Sequence, residues 1–159
     1  MPLQKHSDDG VKYFSGTATY KTTFDLKKSE IKGKTLFLDL GRVYVIASVK
    51  LNGKDLGTVW KAPYSLDITD AVAAGENVLE VEVANLWTNR LIGDAQTPDA
   101  YNYGQGDAGA LPEWYLNNQP KPEDGKVAFS VVKLFEADEP LYDSGLVGPV
   151  VLRTAIKKQ

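Results

Sequence analysis

The segment Asn85-Leu86-Trp87-Thr88-Asn89-Arg90-Leu91-Ile92-Gly93-Asp94 gathers an aromatic face, an amide, a guanidinium and a carboxylate in one short stretch. Tyr101, Tyr103, Trp114 and Tyr115 follow, and Trp60 stands upstream. Aromatic faces suit the C–H surfaces of sugar rings, and planar polar side chains satisfy hydroxyls. Trp87, Asn89, Arg90, Asp94, Tyr101, Tyr103, Trp114, Tyr115 and Trp60 are therefore the candidate ligand-binding residues, with carbohydrate as the ligand class. A second reading needs no ligand. An arginine with a carboxylate fixes a loop by charge-assisted hydrogen bonds. The loop aromatics then pack onto the body of the fold or onto a neighbouring domain, and Trp60 fills a core or covers an edge strand.

Catalysis is weakly supported. Glycoside hydrolysis requires two carboxylates at a defined separation across a cleft. Asp94, Asp99, Asp107, Glu113 and Asp143 are loop carboxylates with no spacing that pairs them. The only histidine, His6, lies in a polar stretch, which argues against a histidine-based triad or metal site. Gly104, Gly106 and Gly109 lack the following Lys-Ser/Thr pair of a phosphate loop.

The elements that must position these residues read as strands. Ala18, Tyr20, Thr22, Phe24 and Leu26 alternate onto one face, and Leu36, Leu38 and Leu40 do the same. Val43 to Leu51 is apolar on both faces and reads as one central strand. Asn52-Gly53 signals a type I′ hairpin, with Asp55 to Trp60 as the returning strand. Tyr64 to Ile68 alternates again, and Thr69 or Asp70 is placed to cap a short helical turn that ends at Gly75. Asn77 to Asn85 shows the cleanest alternation, with Leu79, Val81 and Val83 inward and Glu80 and Glu82 outward. Residues 86–126 form a long loop rich in Gly, Pro, Asn, Asp and aromatics, a length that is often functional. Strand signals resume at Val127–Leu134 and close at Val150–Ile156. Tyr20, Phe24, Phe37 and Phe129 alternate with polar residues and are expected in the core. The expected organisation is a disordered polar tail or linker at residues 1–10, then one domain over 11–159.

With 159 residues, one domain with a solid core is expected. Apolar content of 43% and charged content of 25% are those of an ordinary globular chain. The net charge of −3 argues against nucleic acid as a partner, and no basic amphipathic stretch points to a membrane surface. Without cysteine there is no disulfide, thiolate metal site or cysteine nucleophile. The first ten residues, MPLQKHSDDG, carry no apolar signal-peptide core and read as a cut linker.

Three phrases carry a family resemblance. Val49 to Gly57, with Tyr64 to Asp70 and Gly75 to Leu79, resembles the galactose-binding-like jelly-roll domain of glycoside hydrolase family 2 and its relatives. Asn85 to Asp94 and Asp143 to Val150 together resemble the C-terminal β-sandwich of bacterial alpha-L-rhamnosidase-like hydrolases of the family 106 type. The resemblance runs from Tyr13 to Arg153. It implies an all-β, antiparallel jelly-roll β-sandwich that lacks the catalytic residues of its parent, which lie in a barrel. The implied partners are carbohydrate and the catalytic domain of a parent glycoside hydrolase, and the parent is expected to be secreted or periplasmic. Two functions stay open: a carbohydrate-binding accessory module, or a structural domain that braces the barrel. No cofactor is expected. Such sandwiches often hold a structural calcium, for which Asp39, Asp67, Asp70 and Glu136 are the donors to weigh.

Overall fold

The computed structural model describes residues 2–97, 111–123, 125–130 and 133–156. Its strands are β1 (Gly16–Leu26), β2 (Lys34–Asp39), β3 (Arg42–Tyr44), β4 (Ile46–Leu51), β5 (Lys54–Val59), β6 (Ser65–Asp67), β7 (Gly75–Asn85), β8 (Gly145–Gly148) and β9 (Val151–Ile156). Short helices lie at α1 (Asp9–Lys12), α2 (Lys28–Ile31), α3 (Thr88–Asp94) and α4 (Glu113–Leu116). The strands form a four-stranded sheet in the order β1-β7-β4-β5, a three-stranded sheet β6-β2-β9, and the β3-β8 pair. Every strand pair in these sheets is antiparallel.

Alternation explains the central strand. Leu79, Val81 and Val83 of β7 are buried, while Glu80 and Glu82 face outward. β7 is paired on both sides, to β1 from Gly16↔Asn85 to Leu26↔Gly75, and to β4 from Ile46↔Ala84 to Leu51↔Leu79. The inward residues of β4 (Ala47, Val49 and Leu51) and of β2 (Leu36 and Leu38) complete one core with Leu40, Val43 and Ile68. The two larger sheets thus share a single apolar interior, which makes the fold an antiparallel β-sandwich. Burying each leucine or valine contributes about 1.5–3 kcal/mol.

Asparagines tie the sandwich edge. Asn52 and Gly53 adopt φ of 53° and 79°, as the expected I′ hairpin requires. Asn52 Nδ2 donates to Ala71 C=O and to Asn77 Oδ1, both at 2.9 Å, and its Oδ1 accepts from Val78 N–H at 2.8 Å. Asn77 is fully buried, and its amide binds Ala73 and Gly75. Residues 69–71 form a turn stabilised by Asp67 Oδ1, which accepts from Thr69 N–H at 2.9 Å. The expected cap at Thr69 or Asp70 is therefore supplied by Asp67 instead.

Several expectations are corrected. The run Val43–Leu51 is not one strand: β3 pairs with β8 while β4 joins the four-stranded sheet. The described residues of Val127–Leu134 carry no strand, because the Val127 and Ala128 N–H groups are captured by Asp94. Thr22 is exposed rather than inward. It lines an open groove between the free edges of β1 and β9, together with Leu79 and Val150. Tyr20 and Phe24 pack against the core as expected. Phe37 lies on the opposite face of β2 from Leu36 and Leu38, and Phe129 belongs to a separate aromatic cluster. The described residues 2–10 make contacts with the sandwich. Leu3–Lys5 form a 3-10 turn, Leu3 N–H donates to Ser144 C=O at 3.2 Å, and Gln4 binds Asp143 and Ser144.

Candidate functional site

The end of β7 is a junction built from amides. Asn85 Nδ2 donates to Gly16 C=O and Val83 C=O, both at 3.1 Å, and its Oδ1 accepts from Gly145 N–H at 2.6 Å. The chain then exposes Leu86 and Trp87 before α3 turns Asn89, Ile92, Gly93 and Asp94 into the interior. Asn89 Nδ2 donates to Tyr142 C=O at 2.8 Å, and Tyr142 N–H donates back to Asn89 Oδ1 at 2.9 Å.

Arg90 and Asp94, one helical turn apart, pair at 2.9 Å. The Asp94 carboxylate also accepts from Val127 N–H at 3.0 Å and Ala128 N–H at 2.7 Å. The Arg90 guanidinium lies 5.7 Å from the Tyr13 ring centroid. Gly93 is required here, since a Cβ would sit 2.5 Å from Tyr13 Cγ. Asn89 and Asp94 are 3% and 5% exposed, and their polar atoms hold the chain's own segments.

The aromatic candidates separate. Trp60 and Trp87 are exposed, and Lys61 Nζ lies 5.4 Å from the Trp60 ring centroid, so Trp60 fills no core position. Trp114 and Tyr115 sit on α4 and close around Phe129. Trp114 meets Phe129 edge-on at 5.1 Å, and Tyr115 stacks on Phe129 at 5.7 Å. The Trp114 indole N–H is buried with no hydrogen-bond partner among the described residues, while Tyr115 keeps an exposed face. Tyr101 and Tyr103 lie outside the described residues.

A cleft of about 140 Å³ opens at Leu86 and Thr88, the chain neighbours of Trp87. Tyr44, Val45, Leu86 and Tyr142 supply its apolar walls. Thr88, Asp143, Asn89 and Ser144 add polar groups, although those of Asn89 and Ser144 are engaged internally. Asp143 accepts a hydrogen bond from Gln4 Nε2, which holds it in place. Tyr44 and Tyr142 were not singled out in the sequence, and Asp143 was weighed only as a catalytic carboxylate, not as a ligand-binding residue. Tyr44 is hidden inside an apolar run, and Asp143 inside a phrase read as a family signature. The arrangement offers ring faces and hydroxyl-binding groups in one small space.

Three of the four carboxylates weighed as calcium donors have partners of their own. Asp39 pairs with Arg153 at 2.7 Å and Glu136 with Lys133 at 2.6 Å, while Asp67 caps its own turn. No group of three metal-ligating side chains forms among the described residues.

This architecture defines a galactose-binding-like β-sandwich. The chain belongs to the glycosyl hydrolase 2 galactose-binding domain-like family, whose pattern residues 2–116 match. It is 46% identical over 152 residues to a protein of Formosa agariphila provisionally named a beta-glucuronidase, a match covering 95% of this chain and 13% of that protein. It is 35% identical over 83 residues to a beta-glucuronidase of the same organism, covering 50% of this chain and 8% of that protein. A solved rhamnosidase from Novosphingobium sp. PP1Y superposes with a TM-score of 0.75 at 43% identity, covering 97% of this chain and 12% of that one. The chain thus spans about an eighth of the first and the last of these relatives, 13% and 12% of their lengths.

Proposed function

We propose that this chain is a non-catalytic accessory module of a larger glycoside hydrolase and that it contacts carbohydrate. The observation that carries this reading is the cleft between Tyr44 and Tyr142, whose wall at Leu86 and Thr88 flanks the exposed Trp87 in the chain. Aromatic faces, a held carboxylate and a threonine hydroxyl are the chemistry a sugar ring requires. A shallow, preformed site of this kind gives affinities of roughly mM to µM. The parent enzyme would act on polysaccharide outside the cytoplasm. Binding to a glycan array that disappears in Tyr142→Ala and Trp87→Ala variants would support the reading. Silence from the folded wild-type chain would overturn it.

A second reading, a brace for the catalytic domain, draws on a different observation. Ile46, Trp60, Leu86 and Trp87 are all exposed, a large apolar showing for a small domain. Under this reading the isolated chain self-associates, and Leu86→Ser with Trp87→Ser restores a monomer in sedimentation. A wild-type chain that sediments as a monomer at high concentration would count against it.

A further inference from the structure

We infer that the cleft takes a single neutral pyranose residue and turns away uronates, with Asp143 setting that choice. The inference rests on the carbohydrate reading above and adds the chemical class of sugar. Size comes first. About 140 Å³ is below the roughly 300–1,000 Å³ of drug-sized sites. That room suits one sugar ring, the end or a branch of a glycan, rather than several rings side by side.

Charge comes second. Asp143 is the one residue charged at neutral pH among the described lining residues, which include no lysine or arginine. A sugar carboxylate placed in this cleft meets a like charge and finds no cation among the described lining residues to offset it. A neutral sugar meets an acceptor for a hydroxyl proton instead. Val45 and Leu86 supply apolar wall, which favours a ring with an uncharged C–H edge. Gln4 already fixes the Asp143 side chain, so little freedom remains to be lost on binding. A like-charge contact in a partly solvated site is worth roughly tenfold in affinity.

The test uses the 159-residue chain and matched sugar pairs that differ only at C6. Methyl β-D-glucoside is set against methyl β-D-glucuronide, and methyl β-D-galactoside against methyl β-D-galacturonide. Binding is read from amide chemical shifts. The neutral member of a pair should bind about tenfold tighter at low salt, with shifts centred on Thr88 and Tyr142. Added salt should narrow the gap in the wild type, with no variant needed. Asp143→Asn, which keeps an acceptor for Gln4, should close it. Charged sugars binding as tightly as neutral ones, or a gap that survives both salt and Asp143→Asn, would overturn the role of Asp143. Shifts confined to Trp114 and Tyr115 would overturn the cleft while leaving carbohydrate contact standing. No shift with any sugar would overturn both.

Discussion

Asn89 and Tyr142 stand 53 residues apart and exchange two hydrogen bonds, the side-chain amide of one taking the place of a strand opposite the backbone of the other. The amide presents a donor and an acceptor in the same arrangement as a peptide group. The segment before β8 is thereby held against α3 without any sheet pairing.

Asn89→Ala should therefore lower stability by about 1–3 kcal/mol, since it leaves the Tyr142 N–H and C=O without partners. Urea unfolding checks this. The midpoint should fall while the slope stays constant. An unchanged midpoint would show that water replaces the amide at little cost.

Asp94→Asn should be more damaging, by about 2–4 kcal/mol, because it leaves the largely buried Arg90 without its counter-charge. It also weakens the two bonds that hold Val127 and Ala128. Hydrogen exchange at those two amides should speed up before the core strands respond. Unchanged protection there would refute the role assigned to Asp94.

Gly41 and Gly53 separate backbone conformation from space. Both have positive φ, 67° and 79°. A Cβ on Gly41 would lie 2.5 Å from the Gly148 carbonyl carbon, whereas one on Gly53 meets nothing within 4 Å. Gly53→Ala should lose about 1–2 kcal/mol, the left-handed penalty alone. Gly41→Ala should lose more, through added displacement of the 148–149 backbone. Equal losses in thermal unfolding would contradict the steric argument.

The Lys21–Glu80 pair predicts a pH effect. The hydrogen bond from Lys21 at 2.9 Å, aided by its charge and that of Lys50, holds the Glu80 carboxyl below its ordinary 4.5. A depressed carboxylate contributes stability above its unfolded value and loses it as pH falls through the folded one. The contribution is small because the pair is exposed. A carbon NMR titration should place Glu80 below 4.5 in the wild type and return it toward 4.5 in Lys21→Met. A midpoint that ignores the variant would refute the coupling.

Local patterns were legible and long-range ones were not. β7 could be read because Leu79, Val81 and Val83 alternate with Glu80 and Glu82, and the hairpin because Asn52-Gly53 accepts positive φ. Val43–Leu51 misled because continuous apolarity does not mark where a strand changes sheet. Val127–Leu134 has strand composition, but Asp94 competes for its N–H groups from 33 residues away. Asn89 and Asp94 were found as polar residues of consequence, yet their direction is set by partners that spacing does not reveal. The cleft draws Tyr44 and Tyr142 from opposite ends of the chain, so no local window contains it.

The hairpin tip also gives this fold a place to age. Asparagine followed by glycine is the dipeptide most open to attack by the next backbone nitrogen, and Asn52-Gly53 is such a pair. Here the amide is not idle, because Asn52 Nδ2 faces two oxygens, Ala71 O and Asn77 Oδ1. Deamidation would replace that nitrogen by oxygen and set acceptor against acceptor beside a buried asparagine. Its bonds shield Asn52 while the sandwich stays closed. Slow storage near the unfolding midpoint should therefore modify Asn52 first, seen by mass spectrometry as a shift confined to its peptide, and each modified molecule would be less able to close again.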